Sequence, residues 1–212
     1  HLPELAQRST ADIQGEFAEL ARTEEGRSAH RRGDTDAQLA AAQTVYSAEY
    51  RVPYLAHATM EPMNCTVVLN ANHCDIWVPT QVPSVCAAIA EEITGLNRAD
   101  ITVNTTFLGG GFGRRLNADY VFEAVHIAKA SGLPIKLVFS REDDMQHDFY
   151  RPAAHSVMKA GLDEEHRITA WYHKNVNPNI MTYAFQEFAP AILPAWFPDG
   201  LARSAANLGP YL

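Results

Sequence analysis

The residues Thr105–Arg115, TTFLGGGFGRR, hold four glycines, a phenylalanine inside the glycine run and two closing arginines. Residue types in this order suit anion chemistry. Glycines let backbone N–H groups approach oxygen atoms closely, a following helix N-terminus favours negative charge, and arginine adds charge-assisted hydrogen bonds. The familiar nucleotide templates nevertheless fail. A Walker A loop needs Lys and then Ser or Thr after its last glycine, and here Arg114 and Arg115 follow Gly113. A G-x-G-x-x-G count from Gly111 reaches Leu116, and a count from Gly109 reaches Arg114. The glycine-rich kinase loop fails in the same way. The residues alone leave two readings open: an unusual anion cradle, or a tight strand-to-helix turn whose ring plugs the core.

The flanking elements must position this loop. ADITVNTTF reads as a strand running into it, and NADYVFEAVHIAKASG as a helix leaving it, with Asn117 as N-cap and Gly132 as its stop. Upstream, TVYSAEYRV alternates as a strand closed by Pro53, and NCTVVLN and CDIWVP form a hairpin around Asn70–Asn72. QVPSVCAAIAEEITG is a helix with Pro83 in its first turn and Gly95 at its end. LPIKLVFS reads as an apolar strand buried on both faces, REDDMQHD as a short helical or turn segment, and residues 155–176 as a hairpin around Asp163–His166. Residues 1–43 carry two capped helices, at Ser9 or Thr10 and at Asp34, but few large apolar residues, so they read as a lead-in. The expected organisation is this lead-in followed by a domain over 44–212. Its class is α+β, layered, with a mixed sheet and packed helices. The stretch 177–212 has five prolines and large aromatics, unlike disordered tails, and is expected to pack. Its ending at LGPYL is read as a truncation.

Composition narrows the function. With a net charge of −8 the chain lacks the basic footprint of a nucleic-acid binder. No apolar run approaches the ~20 residues needed to span a bilayer. Cys65, Cys74 and Cys86 form no CxxC pair, and no zinc or metalloprotease spacing occurs, so no metal-ligating side-chain cluster is assigned and the thiols read as buried small hydrophobes.

Four segments taken together resemble the large subunit of the xanthine oxidase family of molybdenum hydroxylases. FLGGGFGRR is similar to the loop that contacts molybdopterin. YLAHATMEPMNCTV (Tyr54–Val67), DIWVPTQVP (Asp75–Pro83) and KLVFSREDDMQHDFYRPAAH (Lys136–His155) match neighbouring family segments in order and spacing. The arginine pair and HDFYRP resemble the isoquinoline 1-oxidoreductase beta-subunit and aldehyde-oxidising branch.

The resemblance implies a molybdenum–molybdopterin cofactor, in the cytosine dinucleotide form, held by Gln81, Gly109, Gly110, Gly111, Phe112, Gly113 and Arg114. Phe112 and Gly113 would stand beside the metal, Gln81 would hydrogen-bond an oxo ligand, and Gly109–Gly111 would admit the pterin. Arg114 is a phosphate candidate, Arg115 is read equally as a solvated cation, and Glu61 is expected to be a paired carboxylate holding the loop. The implied reaction is hydroxylation of an N-heteroaromatic or oxidation of an aldehyde with water, electrons passing to a small [2Fe–2S] subunit and onward to a cytochrome c. Exported members of this branch imply the periplasm as compartment, the cytoplasm otherwise.

Two departures matter. Xanthine-oxidising members carry Gly, Lys and a purine-holding glutamate where this chain has Arg114, Arg115 and Leu116. The family's Gly-Glu motif of the catalytic base lies far downstream, and none follows the loop here, so no catalytic residue is assigned and that glutamate is expected beyond Leu212. The hammerhead domain that precedes this region in the family is not evident either. The chain therefore reads as an internal cofactor-binding piece, inactive alone. The competing class is a non-catalytic module that binds a partner subunit or an anion.

Overall fold

The computed structural model describes residues 7–180; the packing expected of the aromatic stretch falls largely on 181–212, outside the described residues. In chain order the elements are α1 (Thr10–Thr23), α2 (Thr35–Ala41), β1 (Thr44–Val52), β2 (Asn64–Leu69), β3 (Cys74–Val78), α3 (Pro83–Thr94), β4 (Ile101–Thr105), α4 (Asp119–Ser131), β5 (Ile135–Val138), α5 (Arg141–Gln146), β6 (Ala154–Leu162) and β7 (Ile168–Val176). The class is α+β with one mixed and one antiparallel sheet, as the strand and helix patterns predict. No helix among the described residues is long and apolar enough to cross a membrane.

The chain forms two compact units. One comprises residues 56–151, together with 179 and 180. Its sheet runs β4-β3-β2-β5. β3 and β4 are parallel and joined through α3, while β2 is antiparallel to both β3 and β5. Side chains alternate across the sheet: Cys65, Val67, Cys74, Ile76 and Val78 point to one face and are fully buried there. α3 contributes Cys86, Ala90 and Ile93 to that core, and α4 contributes Tyr120, Val121, Ala124 and Val125. Pro83 at the first helical turn and Gly95 at the C-cap delimit α3, and Gly132 terminates α4. Asn70 N–H donates to the His73 carbonyl, closing the expected hairpin turn.

Two local expectations change in this unit. β5 is not buried on both faces: it lies at the sheet edge, and Lys136 and Val138 are exposed because the packed core covers only the face that carries Ile135 and Leu137. Asn117 does not cap α4. The N-cap is Ala118, without a side-chain cap, because a 3-10 turn at Arg114–Leu116 intervenes between the glycine loop and the helix. The helix N-terminus therefore does not abut the glycines.

The other unit comprises residues 7–55 and 152–178. β6 is its central strand, antiparallel to β1 from Thr44↔Leu162 to Val52↔Ala154 and to β7 on the other side. α1, closed by a reciprocal capping box between Ser9 and Asp12, and α2, capped by Asp34, pack on β6 and β7. The break expected between residues 43 and 44 does not separate these elements. β1 belongs with the helices before it because its hydrogen-bond partner arrives more than a hundred residues later, which local composition does not reveal.

Candidate functional site

The glycine loop follows β4 and is shaped by positions only glycine occupies easily. Gly110 and Gly113 have φ of +97° and +101°. A Cβ on Gly111 would lie 2.8 Å from Gln81 Oε1, and one on Gly109 would collide with Glu61 Cβ. The room left by these missing side chains is thus taken by Glu61 and Gln81, and the Phe112 ring packs at Gly110. Phe112 adopts a left-handed φ of 54° and stays 71% exposed. Its ring does not plug the core, which removes the purely structural reading of the loop.

The loop is held from behind by the two arginines. Arg115 is fully buried. Its Nε donates to the Gly110 carbonyl at 2.7 Å, Nη1 to the Pro79 carbonyl at 3.1 Å, and Nη2 to the Glu61 carbonyl at 2.8 Å and to Glu61 Oε2 at 2.9 Å. One planar fork therefore ties together three of the four segments that carry the family resemblance. Gln81 N–H donates in return to the Arg115 carbonyl, at 3.2 Å. Arg115 is a buried clamp, and of the readings left open for it the solvated cation does not hold. A planar five-donor group can satisfy several converging carbonyls, whereas sequence alone shows only a charge.

Arg114 is equally buried. It makes a bidentate pair with Asp119 at 2.7 and 2.8 Å, and its Nε lies 3.2 Å from Asp148. The Phe149 and Tyr120 rings flank the guanidinium at 5.2 and 5.9 Å. Burial pulls the Arg114 pKa down, but Asp119, Asp148 and Asp144 outweigh it and raise the pKa above the usual guanidinium value. With its fork committed to Asp119, Arg114 braces the loop from within the protein and does not present itself as a phosphate ligand. Glu61 fulfils the expectation of a loop-holding carboxylate: it pairs with Arg115, accepts Gly109 N–H at 2.8 Å and accepts the Asn64 amide at 2.8 Å.

The front of the loop differs from its back. Among the described residues no protein acceptor meets the N–H groups of Gly110, Gly111, Phe112 and Gly113. The Gln81 side chain is exposed beside them. Successive free N–H groups in a loop that enters the left-handed region at Gly110, Phe112 and Gly113 form a concavity suited to oxygen-bearing ligands. The structure thus brings the Gln81 side chain against Gly111.

Sequence reasoning missed His57 and Asp148. His57 Nδ1 lies 2.9 Å from Asp148 Oδ1, His57 N–H also donates to that carboxylate, and His57 Nε2 is 3.6 Å from where a Gly113 side chain would begin. Both residues sit within segments singled out for their resemblance, YLAHATMEP and HDFYRP. Their separation of 91 residues hides the pairing.

Comparison with known proteins agrees with this geometry. Residues 20–195 match the family described as molybdopterin cofactor-binding domain. The chain is 32% identical over 155 residues to isoquinoline 1-oxidoreductase subunit beta of Brevundimonas diminuta, covering 72% of this chain and 19% of that protein. It is 26% identical over 150 residues to the molybdenum-binding subunit of aldehyde oxidoreductase of Escherichia coli (strain K12), covering 70% of this chain and 20% of that protein. The chain thus spans about a fifth of the length of these relatives. The fold resembles the aldehyde oxidoreductase of Desulfovibrio gigas, with a TM-score of 0.55 at 17% identity over 68% of this chain and 16% of that one. It resembles the CO dehydrogenase of Oligotropha carboxidovorans similarly, with a TM-score of 0.55 at 22% identity over 66% of this chain and 18% of that one. The glycine loop, the glutamine beside it and these matches lead to one conclusion: the chain belongs to the molybdopterin cofactor-binding domain family.

Proposed function

We propose that this chain forms part of the cofactor wall of a molybdenum hydroxylase that oxidises aldehydes or hydroxylates N-heteroaromatics. The observation that carries this reading is the row of free N–H groups from Gly110 to Gly113 beside the exposed Gln81 amide. The residues present fit the group: the donor set is neutral and preorganised, and the buried arginines fix it without placing a bare cation in the site.

The cofactor, in its cytosine dinucleotide form, supplies the redox metal that accepts two electrons from the substrate. The protein supplies orientation. The loop N–H groups and the Gln81 amide hydrogen-bond its oxygen atoms, and such preorganised dipoles need no rearrangement as charge develops. Phe112 offers an apolar ring as a pocket wall, and Leu116, partly exposed, adds apolar surface where a purine-holding glutamate stands in xanthine-oxidising members. The proton-accepting glutamate comes from another part of the longer polypeptide. Electrons leave through a separate [2Fe–2S] subunit and a cytochrome c, with the periplasm as the compartment to test.

The test is to purify the polypeptide encoded by the full gene with its neighbouring subunits and measure molybdenum, pterin and dye reduction by benzaldehyde and isoquinoline. Stoichiometric molybdenum with turnover on either substrate is expected, and none from residues 1–212 alone. Folded, full-length protein without molybdenum, binding only a partner subunit, would replace this reading with the non-catalytic one.

A further inference from the structure

The region behind Gly113 holds a feature that neither the loop nor Gln81 explains. His57 is mostly buried, and its Nδ1 faces Asp148 Oδ1 and Oδ2 at 2.9 and 3.0 Å. A carboxylate only accepts hydrogen bonds, so Nδ1 carries the proton. In the neutral ring Nε2 is then a free acceptor, and no protein donor meets it among the described residues. Asp148 is itself ion-paired with the Arg114 guanidinium, whose Nε lies 3.2 Å away, and accepts the backbone N–H of His57. The ring is oriented by a third group, as in other sites where a histidine presents one chosen nitrogen.

The backbone around this pair is held in an uncommon state. Ala58 and Tyr150, next to His57 and close to Asp148, both have φ of 46°, and Phe112 has 54°. Left-handed geometry brings the Cβ of a non-glycine residue too close to its own backbone and is unfavourable. Three such residues in the segments around one imidazole are maintained because the surroundings demand them, and sites that bind ligands are where such demands concentrate.

We propose that His57, oriented by Asp148, is a positioning residue of the cradle that accepts a hydrogen bond from a ring N–H of the cofactor at the Gly113 turn. The loop offers donors from Gly110 to Gly113; Nε2 offers an acceptor next to them. A heterocycle edge bearing N–H beside a carbonyl oxygen is read from both sides by this arrangement, and a simple phosphate is not. The inference rests on the molybdopterin reading given above.

The test uses the full-length enzyme with its partner subunits. Molybdenum per polypeptide and the rate of pterin release in mild urea are measured for wild type, His57→Gln and His57→Phe, with the melting temperature of each cofactor-free form as control. Loss of one ligand hydrogen bond predicts about tenfold faster release from His57→Phe, and near-wild-type release from His57→Gln, whose amide oxygen can take the place of Nε2. The cofactor-free melting temperatures of the two variants should match each other. Unchanged release from His57→Phe in a molybdenum-loaded enzyme overturns the inference alone. Equal release from both variants, tracking an equal fall in melting temperature, assigns His57 to the fold only and overturns it as well. A wild-type enzyme that contains no molybdenum overturns the cofactor reading and the inference together.

Discussion

The unit around the glycine loop and the unit built on β1, β6 and β7 are made from the same alphabet but stand on different footings. In the first, strand side chains from β2 and β3 are sealed beneath two helices, and the whole apolar core cluster lies there. In the second, α1 and α2 bury no residue, and among the described residues the only buried apolar side chains are Ala153 and Ala170. β1 leaves Val45, Tyr46, Tyr50 and Val52 exposed. Its strands are paired by hydrogen bonds rather than sealed by packing. The site sits in the unit that has its own core, where buried charge can hold a loop rigidly.

Changes that strike this contrast should differ widely in size. The largest effect is expected from Arg115→Met, which removes the cation paired with Glu61 and one donor each from the Gly110, Pro79 and Glu61 carbonyls. It should cost about 3–5 kcal/mol, read by urea unfolding as earlier loss of protection in β2 and β3 amides, with β6 and β7 unaffected. Next comes alkali. Burial pushes the Cys65 thiol up to about 12 and Cys74 up to about 11, with Tyr120 also near 12. A thiol whose folded value lies above its free value stabilises the fold fully below pH 9 and loses that stability as pH rises toward 12. Each such group should withdraw about 1.4 kcal/mol per pH unit above its free value, seen as falling hydrogen-exchange protection in the β2–β3 unit alone. Smallest should be Tyr46→Thr on β1, within about 0.5 kcal/mol of wild type in the same unfolding experiment. A larger loss there would mean that the second unit depends on β1 packing after all.

The elements were legible where periodicity and caps agree. Ser9, Asp34, Pro83, Gly95 and Gly132 each act at the helix end their chemistry predicts. LPIKLVFS reads as buried on both faces, but an apolar run does not disclose that helices cover only one face of the sheet. In the site, Gln81 and the loop could be brought together from order and resemblance, and Glu61 from its motif. The arginines could not. A charged side chain in sequence carries no sign of whether carbonyls will converge on it, and Arg115 draws its partners from positions 61, 79 and 110. The His57–Asp148 pair was hidden in the same way, by separation alone.

The Arg115 fork has a consequence for the order of assembly. Its bonds to Pro79 and Glu61 span 36 and 54 residues, so the loop has no local version of its folded shape. Those closures incur chain entropy before they return any stabilisation, and they form only once β2, β3 and β4 are in register. The growing chain therefore exposes no finished receptacle until most of the sheet has condensed. Insertion of the prosthetic group becomes a late event, gated by the completion of the scaffold.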